Sequence, residues 1–217
     1  MKDKEKNPEG HYFSKGNVDK YAKYWGDVGK RLVVPREQID ARYTTFYGLL
    51  PKGSCILEAG CGTGRLVKRF KAHGFKVVGI DYSEEMVRKA RELVPDVEFL
   101  KMDVTKLEFK DNTFEGVMSF GVIVHIDSNK IDKVFSETRR VLKPNGILFL
   151  ATRSAAEQKR TVEEAGEGGE MAVYYYTLKT IKERLEKCGF EIIKGYEMAD
   201  DVGRPFNYMY IYARAVK

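Results

Sequence analysis

Three glycines at alternate positions follow an apolar run and have an acid just ahead of them, in Glu58-Ala59-Gly60-Cys61-Gly62-Thr63-Gly64. Glycine is needed where the main chain turns with positive φ or where a ligand presses on the backbone. A bend of this kind between a strand and a helix is where open α/β sheets bind nucleosides and nucleotides. A dinucleotide's phosphates would call for G-x-G-x-x-G. Counted from Gly60 the third glycine position holds Arg65, and counted from Gly62 it holds Val67, so both registers fail. Glu58 would also repel a pyrophosphate, whereas its carboxylate can hold an ammonium group directly or through water. The loop favours a nucleoside with a positive, amino-acid-like end over one bearing phosphates. Two further acids end the next apolar runs. Asp81, 17 residues past Gly64, can accept from both hydroxyls of a ribose, and Asp103 can accept from an exocyclic adenine amine.

These residues need strands to carry them. From Cys55 onward short apolar runs alternate with amphipathic segments, which predicts βαβ units and a mainly parallel sheet. Strands are expected at Ser54–Ala59, Lys76–Asp81, Val97–Asp103, Phe114–Phe120 and Ile147–Thr152. The first intervening helix buries Leu66, Val67 and Phe70 and stops at His73-Gly74. The second is capped by Ser83, has Glu84 and Glu85 in its first turn and buries Met86, Ala90 and Leu93 before Pro95. A longer helix spans 129–142, and Pro144-Asn145-Gly146 turns the chain into the fifth strand. Thr177 caps a last helix that ends at Cys188-Gly189. Two strands, Phe190–Tyr196 and Tyr208–Ala215, follow one another with no helix between and should run antiparallel. Upstream, Pro35 opens a helix whose apolar face is Ile39, Tyr43, Phe46, Tyr47 and Leu50. Residues 153–173, polar and rich in glycine (Gly166, Gly168, Gly169), read as an inserted loop or short helices over the site. The first ten residues are nearly all charge and are expected to be disordered, with 11–50 forming an N-terminal lid and helix on a single domain.

E-x-G-x-G-x-G after a strand, Gly79-Ile80-Asp81-Tyr82-Ser83, Met102-Asp103-Val104 and Leu142-Lys143-Pro144-Asn145-Gly146-Ile147-Leu148 together resemble the class I S-adenosylmethionine-dependent methyltransferases over residues 36 to 217. The resemblance implies a doubly wound α/β fold. Its seven-stranded, mainly parallel sheet would have the order 3-2-1-4-5-7-6, the last strand antiparallel, and helices on both faces. It implies S-adenosylmethionine as cofactor and S-adenosylhomocysteine as product. Glu58 and the loop Gly60, Cys61, Gly62 and Gly64 would hold the methionine moiety, and Asp81 the ribose diol. Tyr82 and Met86 would lie against the adenine, with Asp103 and the backbone of Val104 at its edge. Phe120 would border the methionine moiety and the sulfonium.

Oxygen acceptors need a base near the working pH. His125, in the stretch after the fourth strand, is the candidate; the other reading is a packed histidine hydrogen-bonded to backbone. Tyr21, Tyr24 and Trp25 suit a lid that excludes water, or padding at the sheet edge. Tyr174 and Tyr176, on one face of an extended segment, are candidates for the acceptor pocket. The fourth strand ends Ser119-Phe120-Gly121-Val122, without the Asn/Asp-Pro-Pro-aromatic stretch of base-amino methylation, and no Pro-Cys pair is present. A small-molecule acceptor is therefore favoured, with RNA or protein methylation, or a non-catalytic nucleoside-binding module, as alternatives.

The 217 residues, 43% apolar and 32% charged, suit one α/β domain. The net charge of +6 is spread among interspersed acids and bases, as a solvated surface is, rather than gathered in a nucleic-acid patch. No apolar run is long enough for a bilayer, and no leader pattern opens the chain, so a cytoplasmic protein is expected. Cys55, Cys61 and Cys188 are scattered without a C-x-x-C pair, which argues against a disulfide framework and a metal site.

Overall fold

The computed structural model describes residues 36–164, 170–199 and 206–217. Residues 1–10, Tyr21, Tyr24, Trp25, Pro35, Gly166, Gly168 and Gly169 lie outside them. In chain order the elements are α1 (Arg36–Gly48), β1 (Cys55–Ala59), α2 (Arg65–Ala72), β2 (Lys76–Asp81), α3 (Glu84–Leu93), β3 (Glu98–Lys101) and β4 (Phe114–Phe120). A 3₁₀ turn at Ile123–His125 follows, then α4 (Ile131–Val141), β5 (Leu142–Ser154), β6 (Lys159–Glu164), β7 (Glu170–Tyr175), α5 (Leu178–Lys187), β8 (Phe190–Met198) and β9 (Asn207–Ala215).

Seven strands form one sheet in the order β3-β2-β1-β4-β5-β9-β8, and β6 and β7 form a separate pair. Counting the seven strands of the large sheet along the chain, this is the expected 3-2-1-4-5-7-6. The first five strands pair in parallel, and β9 runs antiparallel to both β5 and β8. Period-two alternation sends neighbouring strand residues to opposite layers. Ile56, Met118, Phe149, Tyr210 and Tyr212 meet Tyr43 and Phe46 of α1, Val67 and Phe70 of α2, and Val87 and Ala90 of α3 on one face. Leu57, Val117, Leu148, Leu150 and Ile211 meet Ile131, Val134 and Phe135 of α4 and Ile181 and Leu185 of α5 on the other. Ser83 caps α3, its hydroxyl accepting from Met86 N–H at 3.2 Å, and Thr177 caps α5 by accepting from Thr180 N–H at 3.0 Å. Each such cap is worth about 1 kcal/mol.

The structure corrects three local expectations. The 153–173 segment is neither an open loop nor short helices: β5 extends to Ser154, and β6 and β7 make an antiparallel ladder from Lys159↔Tyr175 to Glu164↔Glu170. Thr161, Val162, Val173 and the three tyrosines supply the β-branched and aromatic side chains that suit it. The turn expected at Pro144-Asn145-Gly146 is a bulge within β5, because the pairing jumps from Phe114↔Leu142 to Gly116↔Ile147 and Asn145 takes φ 62. Leu93, expected in the buried stripe of its helix, is the helix's last residue and is 40% exposed, while Val87 is buried.

Candidate functional site

β1 hands the chain to α2 on the face of Phe46 and Phe70, while its neighbour β4 hands it through the 3₁₀ turn to α4 on the opposite face. The chain thus leaves two adjacent parallel strands in opposite directions, which opens a crevice beyond their carboxyl ends. The glycine loop lines it. Gly60 and Cys61 both donate to the Ile80 carbonyl at 2.8 Å, and Gly62 N–H donates to Asp81 Oδ2 at 2.9 Å, tying the loop to the end of β2. Gly60, at φ +81, sits where a Cβ would fall 2.2 Å from Val122 Cγ2, so a bare backbone lets the ends of β1 and β4 meet. A Cβ on Gly62, at φ +52, or on Gly121, at φ +69, would meet nothing within 4 Å.

Glu58 is 2% exposed and faces the α1–α2 side of the sheet. Its carboxylate accepts from the N–H of Val67, in the first turn of α2, and Oε2 has no hydrogen-bond partner among the described residues. Burial pushes the Glu58 carboxyl well above the usual carboxylate range; the Val67 N–H works against that, and the nearby Asp81 adds to it. A buried oxygen left unpaired costs about 1–3 kcal/mol. A ligand ammonium is the group that would relieve both the unmet hydrogen bond and the unpaired charge. Burial also raises Asp81, opposed by the main-chain N–H groups of Ser83, Gly62 and Tyr82. Its Oδ1 takes Ser83 N–H at 2.9 Å and its Oδ2 takes Gly62 N–H, and each oxygen keeps a second acceptor site. Burial first, and the two neighbouring acids after it, hold the Cys61 thiol protonated and unsuited to nucleophilic work.

The remaining residues named from the sequence fall as follows. Tyr82 is half-buried next to Asp81, and Met86, on the first turn of α3, is buried. Asp103 follows β3, and its Oδ1 accepts from both the N–H and the hydroxyl of Thr105 at 2.8 Å. Val104 is buried in the core layer with Met102. Phe120, the last residue of β4, is half-buried with its ring 6.1 Å from that of Tyr208. Beyond β4, the His125 ring donates to the Ala172 carbonyl of β7. Burial and the neighbouring Arg153 push its pKa down to about 4, against the pull of that carbonyl and of Glu163. Tyr174 and Tyr176 do share a face, but it is the face packed into the main core, where their hydroxyls reach Asp127 Oδ2 at 3.4 Å and the Ile126 carbonyl at 3.2 Å. Tyr175 points the other way, into a small cluster with Val124, Met171 and Val173 against Phe206. Sequence reasoning missed Arg153, Glu163, Phe206 and Tyr208, and set Tyr175 aside as facing away from Tyr174 and Tyr176. One signal was available: Arg153 is a lone cation at the end of the apolar run of β5. Among the described residues, no three His, Cys, Asp or Glu side chains come together as a metal site.

A methyltransferase-domain family matches residues 56–146, the stretch holding the glycine loop, Asp81, Asp103, Phe120 and His125. In that stretch the chain is similar to class I S-adenosylmethionine-dependent methyltransferase domains. The chain is 27% identical over 175 residues to the sterol 24-C-methyltransferase of Saccharomyces cerevisiae, covering 73% of this chain and 45% of that one. It is 35% identical over 105 residues to the demethylmenaquinone methyltransferase of Renibacterium salmoninarum, covering 48% and 43% of the two chains. The chain therefore spans less than half the length of the curated relatives it matches. In fold it is similar to the 1,6-didemethyltoxoflavin-N1-methyltransferase of Burkholderia thailandensis, with TM-score 0.73 and 18% identity over 100% of this chain and 94% of that one.

Proposed function

We propose that the protein binds S-adenosylmethionine at the corner of β1 and β2 and transfers its methyl group to a small-molecule acceptor at the ends of β4 and β5. The observation that carries the reading is the buried Oε2 of Glu58, without a partner among the described residues and beside a glycine loop that a second acid ties down. That donor-hungry oxygen and the open space at Gly62 fit an amino-acid tail lying over the loop. Glu58 holds the ammonium, the backbone of Gly60, Cys61, Gly62 and Gly64 lies along the methionine moiety, and Asp81 accepts from the ribose hydroxyls. Tyr82 and Met86 flank the adenine, Asp103 and the Val104 backbone meet its edge, and Phe120 borders the sulfonium. Once bound, the cofactor supplies an electrophilic methyl, and the protein's task is alignment and exclusion of water.

His125 is proposed to act as a neutral imidazole. The Ala172 carbonyl accepts from its ring, which fixes the ring's orientation beyond the end of β4. Its low basicity suits it to orienting a lone pair toward the methyl rather than to removing a proton outright. The matched relatives are named for a sterol, a demethylmenaquinone and a didemethyltoxoflavin, which supports a small-molecule acceptor. Cytoplasmic residence is proposed from the three free thiols. No helix among the described residues is long and apolar enough to cross a membrane.

The test is to incubate a cell extract with methyl-labelled cofactor and the protein, then to fractionate by size. Label in the small-molecule fraction is the expected result. Label confined to RNA or protein would overturn the acceptor class, and an unlabelled extract would leave only a nucleoside-binding module.

A further inference from the structure

Arg153 ends the apolar run of β5 on the same face of the sheet as Phe149 and Tyr210, at the carboxyl edge where β4 delivers Phe120. Its side chain is only 11% exposed. The guanidinium lies 4.3 Å from the centroid of Phe206, and Nη1 donates to Glu163 Oε2 at 2.7 Å and to the Tyr175 hydroxyl at 3.4 Å. The Tyr175 hydroxyl in turn donates to Glu163 Oε1, so the pair is braced from the hairpin. Among the described residues, the hydrogen bonds of this guanidinium both leave from Nη1. A guanidinium carries five N–H donors in a planar fork, and an enclosed one that uses a single nitrogen leaves an edge shaped for a two-oxygen group.

What surrounds that edge is aromatic. Ring centroids run from Phe120 to Tyr208 at 6.1 Å, Tyr208 to Phe206 at 5.5 Å and Phe206 to Tyr175 at 6.1 Å, with Phe120, Tyr208 and Phe206 half-buried. The row begins at the residue proposed to border the sulfonium and ends on the braced ion pair. Glu163 offsets Arg153, and Lys159 Nζ, 5.3 Å from the centroid of the Tyr175 ring, adds a second cation on the hairpin. Rings stack on flat partners and a positive fork selects an ionised oxygen, so the two features together describe one kind of molecule.

We infer that the acceptor is a planar aromatic compound bearing a carboxylate or phenolate oxygen. Arg153 binds that oxygen, and the rings of Phe120, Tyr208 and Phe206 hold the compound's face. Glu163 and Tyr175 are positioning residues that fix the guanidinium. The inference rests on the methyl-transfer reading above and adds the acceptor's chemistry to it.

The test is calorimetry on the protein saturated with S-adenosylhomocysteine, titrated with three probes: 1-hydroxy-2-naphthoate, 2-naphthylamine and cyclohexanecarboxylate. The first has ring and oxyanion, the second a ring without an anion, the third an anion without a ring. The expected result is that hydroxynaphthoate binds at least about tenfold tighter than either of the others. Arg153→Leu should abolish that preference while S-adenosylhomocysteine affinity stays within about twofold. Arg153→Lys keeps the charge beside Glu163, and so guards against misfolding, but loses the fork; it should retain an intermediate preference. Undetectable hydroxynaphthoate binding, equal binding of the amine, or an unchanged preference in both variants would overturn the inference. A wild-type protein that fails to bind S-adenosylhomocysteine would instead refute the underlying methyl-transfer reading, and this one with it.

Discussion

Replacing Glu58 with Gln should move two measurable quantities in opposite directions. In the free protein the buried carboxyl is held well above its ordinary value of 4.5, so the folded chain binds that proton more tightly than the unfolded chain does. Stability contributed by this group is therefore lost as pH rises above about 4.5, until the folded-state pKa is passed. Glu58→Gln removes the ionisation: the free variant should be at least as stable as wild type at neutral pH, and this slope should disappear. Ligand binding should respond the other way. Gln can still accept from Val67 N–H, but it then turns an NH₂ toward the position of Oε2, where the ammonium is proposed to sit. A hydrogen bond to a charged group is worth about 1.5–3 kcal/mol, so S-adenosylhomocysteine should bind about 10- to 150-fold more weakly. At a ligand concentration about 100 times the wild-type Kd, the wild type gains about 2.7 kcal/mol. For a chain of this size that is about 5–11 °C in Tm. A variant weakened about 30-fold gains only about 0.9 kcal/mol, or about 2–4 °C, under the same conditions. Differential scanning fluorimetry with and without ligand reads both effects. A variant that is less stable when free yet shows an undiminished ligand shift would refute the reasoning, because Glu58 would then be a structural acid.

Three other substitutions or conditions probe the same geometry. Gly60→Ala places a methyl 2.2 Å from Val122 Cγ2 at φ +81 and should cost about 2–5 kcal/mol in urea unfolding. Asp81→Asn exchanges an acceptor of the Gly62 or Ser83 N–H for a donor and should destabilise by about 1–3 kcal/mol while weakening S-adenosylhomocysteine binding in calorimetry. His125→Ala should leave S-adenosylhomocysteine affinity within about twofold and lower turnover about tenfold or more once the acceptor is in hand; unchanged turnover would remove it from the mechanism. Because the His125 pKa is lowered to about 4 from 6.5, its neutral form is complete at neutral pH. A turnover profile should stay level down to about pH 5 and fall as pH drops through about 4.

The part of the molecule legible in the sequence is the part governed by local rules. Gly60 and Gly64 at positive φ, the Ser83 and Thr177 caps, and the strand ends at Ala59, Asp81 and Phe120 each follow from a residue's own conformational needs. Glu58 and Asp81 were singled out because an acid inside a glycine bend suits an ammonium group and an acid at the next strand end suits ribose hydroxyls. The hairpin was not legible as such, since its ladder joins segments on either side of a glycine-rich stretch and no turn signature sets its register. Tyr174 and Tyr176 were rightly placed on one face, but which face meets the core depends on how β7 docks against the turn at Val124. Arg153 and Glu163 stayed hidden for the same reason: their pairing joins β5 to β6, and Phe206 lies more than 50 residues further along the chain.

The claim on which the account stands is that the cradle between β1 and β2 binds an adenosyl amino acid rather than a phosphate-bearing nucleotide. Calorimetric titration of the purified protein with S-adenosylhomocysteine, alongside NAD and ATP, tests it most directly. One molecule of S-adenosylhomocysteine should bind per chain, with neither phosphate compound competing. A protein that takes up NAD or ATP but leaves S-adenosylhomocysteine in solution would contradict it.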